Sequence, residues 1–196
     1  LSGLTLSARA YACATYFIQA VEGDSKRKIL VIAADPDQAA YLHQCIKTFL
    51  TILGKSSLAN TSGYLPGWES SPYGSIAPNT KTRFKRIRAL YKIAHGDLSL
   101  VVTDIRSLAQ KTPSVDHLIA GAISLPIGAF FERSDLRLKL ESIGYHYSDL
   151  VEDPGTFCFR GNIFDVYAPN YLRPARLEFM GDEIETIRFY DADTQR

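Results

Sequence analysis

Between Gly155 and Asp191 the chain switches chemistry residue by residue, and that alternation constrains its fold more than any other feature. Thr156, Cys158 and Arg160 interleave with Phe157 and Phe159. Arg176 and Glu178 interleave with Ala175, Leu177 and Phe179, and Thr186 and Arg188 with Glu185, Ile187 and Phe189. Successive side chains of a strand point to opposite faces. Period two therefore predicts strands with one apolar face and one face carrying Arg160, Arg176, Glu178 and Arg188. Met180-Gly181-Asp182-Glu183 places glycine where a positive φ is easiest, which closes the last two strands into an antiparallel hairpin. A small sheet with one greasy face and one arginine-rich face is suited to docking rather than catalysis.

The rest of the chain has a different grammar. Ser7 to Ala20 predicts a helix with Tyr11, Thr15 and Ile18 at helical spacing. Ile29 to Ala33 is a continuous apolar run, the pattern of a buried parallel strand. Asp35 caps a helix with Pro36 at its first position and Ala39, Leu42, Ile46 and Phe49 on one face. Asn60 to Asn79, dense in Ser, Gly and Pro, reads as an irregular connection. A helix follows from Thr80 to Ile93 with Phe84, Ile87 and Tyr91 inward, then a strand at Leu98 to Val102 and a short helix from Asp104 to Gln110. Strand and helix in alternation argue for an α/β domain. Lys111 to Ser114 ends it. Ala120 to Phe131 then reads as strand and turn, and Leu136 to Ile143 as a helix capped by Ser134-Asp135. The expected domains are 1–118 and 119–190, with 191–196 the start of a segment returning to the first.

Composition limits function. A hydrophobic fraction of 46% and a net charge of +1 describe globular material without bulk affinity for polyanions. No apolar run is long enough to span a bilayer, and Leu1 to Ala20 is not built as a signal peptide. Cys13, Cys45 and Cys158 lack CxxC spacing, which predicts a reducing, cytoplasmic setting without disulfides or zinc. The histidines stand singly, so no metal cluster is expected. The charge cluster TKTRFKRIRALYK sets Lys81, Lys85, Arg88 and Lys92 along one helical face. It reads as a solvated outer face, or else as a contact for DNA phosphates or an acidic protein surface. Trp68 reads as the staple of its own loop, with Glu69, Pro72 and Tyr73 beside it. Asp165 has no acid–base partner in the sequence and reads as a turn or strand-edge residue, and Cys158 as a small residue of the contact surface. No catalytic residue is expected.

RGNIFDVYAP at Arg160 to Pro169, followed by RLEFMGDEIETIRFYDADTQR at Arg176 to Arg196, resembles the second domain shared by UvrB and the transcription-repair coupling factor Mfd. LPGWESSPY, Leu65 to Tyr73, is similar to the Mfd signature rather than that of UvrB. The resemblance runs from Gly3 to Arg196 and implies a piece from the amino-terminal region of such a factor. It implies a degenerate P-loop-type, UvrB-like doubly wound α/β domain, followed by a small α+β domain with an antiparallel sheet. In UvrB-like ATPases the turn before the first helix holds a phosphate-binding G-x-x-x-x-G-K-(S/T). Here Gly3 to Ala10 keeps the first glycine, while Ala8 replaces the second, Arg9 the lysine and Ala10 the metal-binding hydroxyl. No cofactor is expected in this chain; ATP and Mg²⁺ belong to a separate motor of the parent. The Tyr73 to Thr80 connection is too short for the UvrB hairpin that grips damaged DNA.

By the same resemblance the polar sheet face binds UvrA. Arg160 takes the place of the family's R-G arginine and Glu178 its acidic position, while Cys158 stands where UvrB has a further arginine. The parent's carboxy-terminal region masks that face in an autoinhibited state, and RNA polymerase and DNA are met through other parts of the parent. No membrane is involved.

Overall fold

The computed structural model describes residues 3–68 and 79–195. The chain divides into two compact units, Leu1–Ile119 and Ala120–Arg196.

In the first unit, helix α1 (Leu6–Gly23) starts where the Thr5 hydroxyl accepts the Ala8 N–H at 3.3 Å. Its buried stripe is Ala10, Ala14, Phe17 and Ala20, whereas Tyr11, noted for its helical spacing, is exposed. Small side chains let α1 lie close against α2 (Pro36–Ile52), reached through strand β1 (Ile29–Ala33). Asp35 caps α2 by accepting the Gln38 N–H at 2.8 Å, and Ala39, Leu42, Ile46 and Leu50 are its buried face. After α3 (Ser56–Asn60) comes β2 (Ser62–Tyr64), inside the stretch expected to be irregular. Helix α4 (Thr80–Ala94), β3 (Leu100–Asp104), α5 (Ile105–Leu108) and α6 (Val115–Ala120) follow.

The three strands form a parallel sheet in the order β1-β3-β2. Helix α2 lies against all three strands. The core gathers Phe17, Leu42, Ile46, Leu50, Leu100 and Val102. Strand β1 is buried on one side only: Leu30 and Ile32, 51% and 48% exposed, belong to the opposite side. The continuous apolar run therefore reads correctly as a strand but wrongly as a fully buried one.

Helix α4 overturns a simple apolar-inward expectation. Its buried positions are Thr82, Arg86 and Ala89; Phe84 and Tyr91 are half-buried and Ile87 is exposed. Arg86 goes inward because it has partners there. Its Nη1 donates to the Pro66 carbonyl at 2.7 Å, and its guanidinium stacks over the Trp68 ring at 5.4 Å. Burial pulls its pKa below the ordinary guanidinium value, and the charge of Asp104 opposes that shift. The Trp68 backbone is held in turn by Gln110, whose Oε1 accepts the Trp68 N–H at 2.8 Å. A side chain at Gly67 would collide with the Ser107 hydroxyl, so glycine is required for this approach. Trp68 is thus held against its own unit; Glu69, Pro72, Tyr73 and the rest of 69–78 lie outside the described residues. Arg86→Ala should destabilise the first unit by about 2–3 kcal/mol. It should also red-shift the emission of Trp68, the single tryptophan, in a fluorescence-monitored urea melt.

The second unit opens with residues 120–132, which contain no named strand. Residues 128–131 nonetheless run beside the final strand, with a bridge between Phe130 and Glu183. Helix α7 (Arg133–Ser142) starts after Glu132, slightly earlier than the Ser134-Asp135 expectation and without a side-chain cap, and buries Leu136 and Leu140. Strands β4 (His146–Tyr147), β5 (Thr156–Arg160), β6 (Ile163–Val166), β7 (Ala175–Met180) and β8 (Glu183–Phe189) form one sheet in sequential order. The β4–β5 pair is parallel and the others antiparallel. Phe157, Phe164, Leu177, Phe179 and Ile184 pack with α7 into the core. The predicted hairpin is present, with Gly181 at φ 65° in its turn. The last residues do not form a further strand or helix; Asp191 accepts the Asp193 and Thr194 N–H groups in a local turn.

Candidate protein-docking face

Pairing register places the polar side chains of β5 to β8 in two rows across one face of the sheet. The first row is Cys158, Asp165, Arg176 and Arg188; the second is Arg160, Ile163, Glu178 and Thr186. Directly opposed residues share a face at about 5 Å, so the rows follow from register alone. All four residues expected on this face, Arg160, Arg176, Glu178 and Arg188, are brought together there.

Asp165 organises the arrangement and is not a strand-edge residue. It lies in the middle of the sheet with its side chain 1% exposed. Arg176 meets it as a two-pronged fork, Nε donating to Oδ1 at 2.7 Å and Nη2 to Oδ2 at 2.9 Å. Arg160 adds a third hydrogen bond, Nη2 to Oδ2 at 3.1 Å. Such planar, charge-assisted pairs are among the strongest hydrogen bonds available to a protein. The hydrogen bond to Asp165 raises the Arg176 pKa above its ordinary value. The Tyr190 ring packs beneath Arg176 at 4.6 Å, and burial together with the Asp165 charge pushes the Tyr190 phenol up to about 12.

The three arginines therefore differ in what they can offer a partner. Arg176, 17% exposed and committed at both prongs, is internal architecture. Arg160 gives Asp165 one N–H and is 49% exposed. Arg188 pairs with Glu178 at 2.9 Å and is 59% exposed. The guanidinium groups of the face are shared between two carboxylates, Asp165 and Glu178, with Arg160 and Arg188 keeping spare donors. Cys158 is not part of the accessible surface: it is buried, and its thiol lies 3.6 Å from the Tyr147 hydroxyl. At one end of the face stand Met180 and Phe130, 69% and 72% exposed, the two residues opposite Glu183 in the pairing.

The other predicted positions lie in the first unit. Gly3 occupies a turn at φ 79°, and Ala8 sits in the first turn of α1 with its N–H taken by Thr5. Arg9 Nε donates to the Leu4 carbonyl at 3.1 Å, and Ala10 is wholly buried in the core. In this turn the Thr5 hydroxyl is engaged by the Ala8 N–H, and position 10 carries no hydroxyl. Lys81 and Lys85 are exposed on α4, and Arg88 and Lys92 half-buried. Among the described residues no group of three metal-ligating side chains converges, and no helix is long and apolar enough to cross a membrane.

The second unit is a small α+β module whose sheet carries exposed guanidinium groups on one face. Residues 123–196 match the UvrB interaction domain. Across nearly its whole length the chain is homologous to transcription-repair-coupling factors. It is 34% identical to that of Myxococcus xanthus over 195 residues, covering 99% of this chain and 16% of the relative. It is 29% identical to that of Escherichia coli K12 over 185 residues, 94% of this chain and 15% of the relative. To that of Bacillus subtilis it is 26% identical over 196 residues, 100% of this chain and 16% of the relative. The chain spans about one sixth of the length of these relatives.

Proposed function

We propose that this chain is a non-catalytic adaptor in transcription-coupled nucleotide excision repair, docking UvrA on the polar face of its second unit. The observation that carries the reading is a pair of half-exposed guanidinium groups, Arg160 and Arg188, each keeping donors beyond its one ion pair, on a sheet braced by the buried Asp165–Arg176 pair. The match of residues 123–196 to the UvrB interaction domain supports a UvrA-type partner. Homology to transcription-repair-coupling factors supports the setting, a repair factor recruited where RNA polymerase has stalled on DNA. The adaptor acts in the cytoplasm, where the polymerase is contacted by other parts of a longer parent.

The first unit serves as a degenerate P-loop-type, doubly wound scaffold without nucleotide chemistry. Ala10 in place of a hydroxyl leaves Mg²⁺ without its ligand, and Arg9 is turned back onto its own loop. ATP and Mg²⁺ are used by a separate motor of the parent. The same arginine face is where the parent's carboxy-terminal region docks in an autoinhibited state, since one set of guanidinium donors cannot serve two partners at once.

Titration of this chain into purified UvrA by calorimetry tests the reading. Saturable one-site binding is the expected result. A well-folded chain that gives no heat and no co-elution would overturn it.

A further inference from the structure

We infer that the flank of α4 carrying Lys81, Lys85, Arg88 and Lys92 is a binding surface for the phosphate backbone of double-stranded DNA. The surface lies in the first unit and stands independently of the UvrA reading. Helix α4 holds six Lys and Arg residues and no Asp or Glu in its 15 positions. Residues at 81, 85, 88 and 92 recur every three or four positions, so they line one flank over about 16 Å of helix. Packing fixes the helix about its axis. Thr82, Arg86 and Ala89 are buried, which leaves Lys81 and Lys85 in solvent and Arg88 and Lys92 at half-exposure.

Among the described residues none of the four takes part in a salt bridge. Like charges at this spacing repel one another along the helix, and a row of phosphates removes that repulsion. The charge is concentrated in this unit as well. Residues 1–119 carry fourteen Lys and Arg against eight Asp and Glu, while 120–196 carry eight against thirteen. The near-neutral total conceals a strongly basic first unit beside an acidic second one.

Duplex rather than single-stranded nucleic acid fits this flank. Single strands are gripped by stacking bases on open aromatic rings. Here the Tyr91 ring is already stacked on His95 at 4.1 Å, and Phe84 is half-buried with the Arg83 guanidinium 5.2 Å from its ring. What remains open is a line of cations, which suits a stiff array of phosphates and carries no base readout.

The test is fluorescence anisotropy of a fluorescein-labelled thirty-base-pair duplex titrated with this chain between about 50 and 200 mM salt. Four neutralised phosphates give a log–log salt slope of about −3 to −4, so affinity should fall roughly a hundredfold over that range. Lys81→Glu/Lys85→Glu should lower affinity at least about tenfold and flatten the slope by about two. Lys111→Glu/Lys139→Glu, exposed positions with the same change in net charge, should leave both close to wild type. If circular dichroism shows the reversal variant unfolded, Lys81→Gln/Lys85→Gln gives the same slope reading. Absence of binding by folded wild type at low salt overturns the proposal, as does equal loss in both double variants, which would mark α4 as a solvated face.

Discussion

Arg160→Ala is expected to weaken binding of purified UvrA about thirtyfold, a loss of roughly 2 kcal/mol, with the fold intact. Arginine is over-represented among interface residues that carry binding energy because its planar fork can engage a partner carboxylate with two hydrogen bonds. Arg160 meets that description better than its neighbours. One N–H is anchored on a buried carboxylate, which limits its rotamers, while half of the side chain remains in solvent. Binding therefore orders little that is not already ordered, which lowers the entropic cost of the contact. Arg188 is more exposed, and its partner Glu178 is only partly buried, so Arg188→Ala should cost less. Calorimetry on both variants, with a thermal melt of each, separates these expectations. Unchanged affinity in a folded Arg160→Ala variant would remove the arginine face from the docking site.

Why this face could be anticipated from residues, while its centre could not, is a matter of what periodicity encodes. Alternation over Thr156–Arg160, Ala175–Met180 and Glu183–Phe189 sorts side chains onto two faces with no tertiary information, and each of these segments is a strand. Asp165 escapes the pattern because its strand, Ile163–Val166, has only four residues and is apolar around it. An acidic residue there reads like a turn carboxylate until register sets Arg176 and Arg160 against it. The signal available is its place in RGNIFDVYAP, five residues after Arg160.

The other misreadings share a cause. Ser62–Tyr64 and His146–Tyr147 are too short to show any period, and their strand character comes wholly from the neighbours they pair with. In α1 the buried stripe is mostly alanine, which a hydrophobicity pattern undervalues because close approach, not apolar volume, is what the site requires. In helix α4 apolar spacing points the aromatic residues inward, whereas the interior holds a guanidinium that finds a carbonyl and an indole there. Long amphipathic strands and capped helices are legible locally; short strands and buried charges are decided by partners distant in sequence.

Asp165→Asn should destabilise the second unit by about 3 kcal/mol, within the range for breaking a buried ion pair by removing one partner. For a unit of this size the melting temperature should fall by more than about 10 °C in calorimetry. The amide retains the shape of the carboxylate but has one oxygen and no charge, so it cannot receive both prongs of Arg176 together with Arg160. Arg176, only 17% exposed, would be left without its counter-charge. The combined Asp165→Leu/Arg176→Met variant should recover most of the lost stability, because apolar side chains of similar volume can replace a buried pair at little cost. It should still bind UvrA weakly, since Arg160 loses its anchor and regains rotamer freedom. Stability restored without affinity would identify the buried pair as the brace that pre-forms the docking face. Restored stability together with wild-type affinity would mean that Arg160 needs no brace. An Asp165→Asn variant melting with wild type would show that the network contributes nothing to the fold.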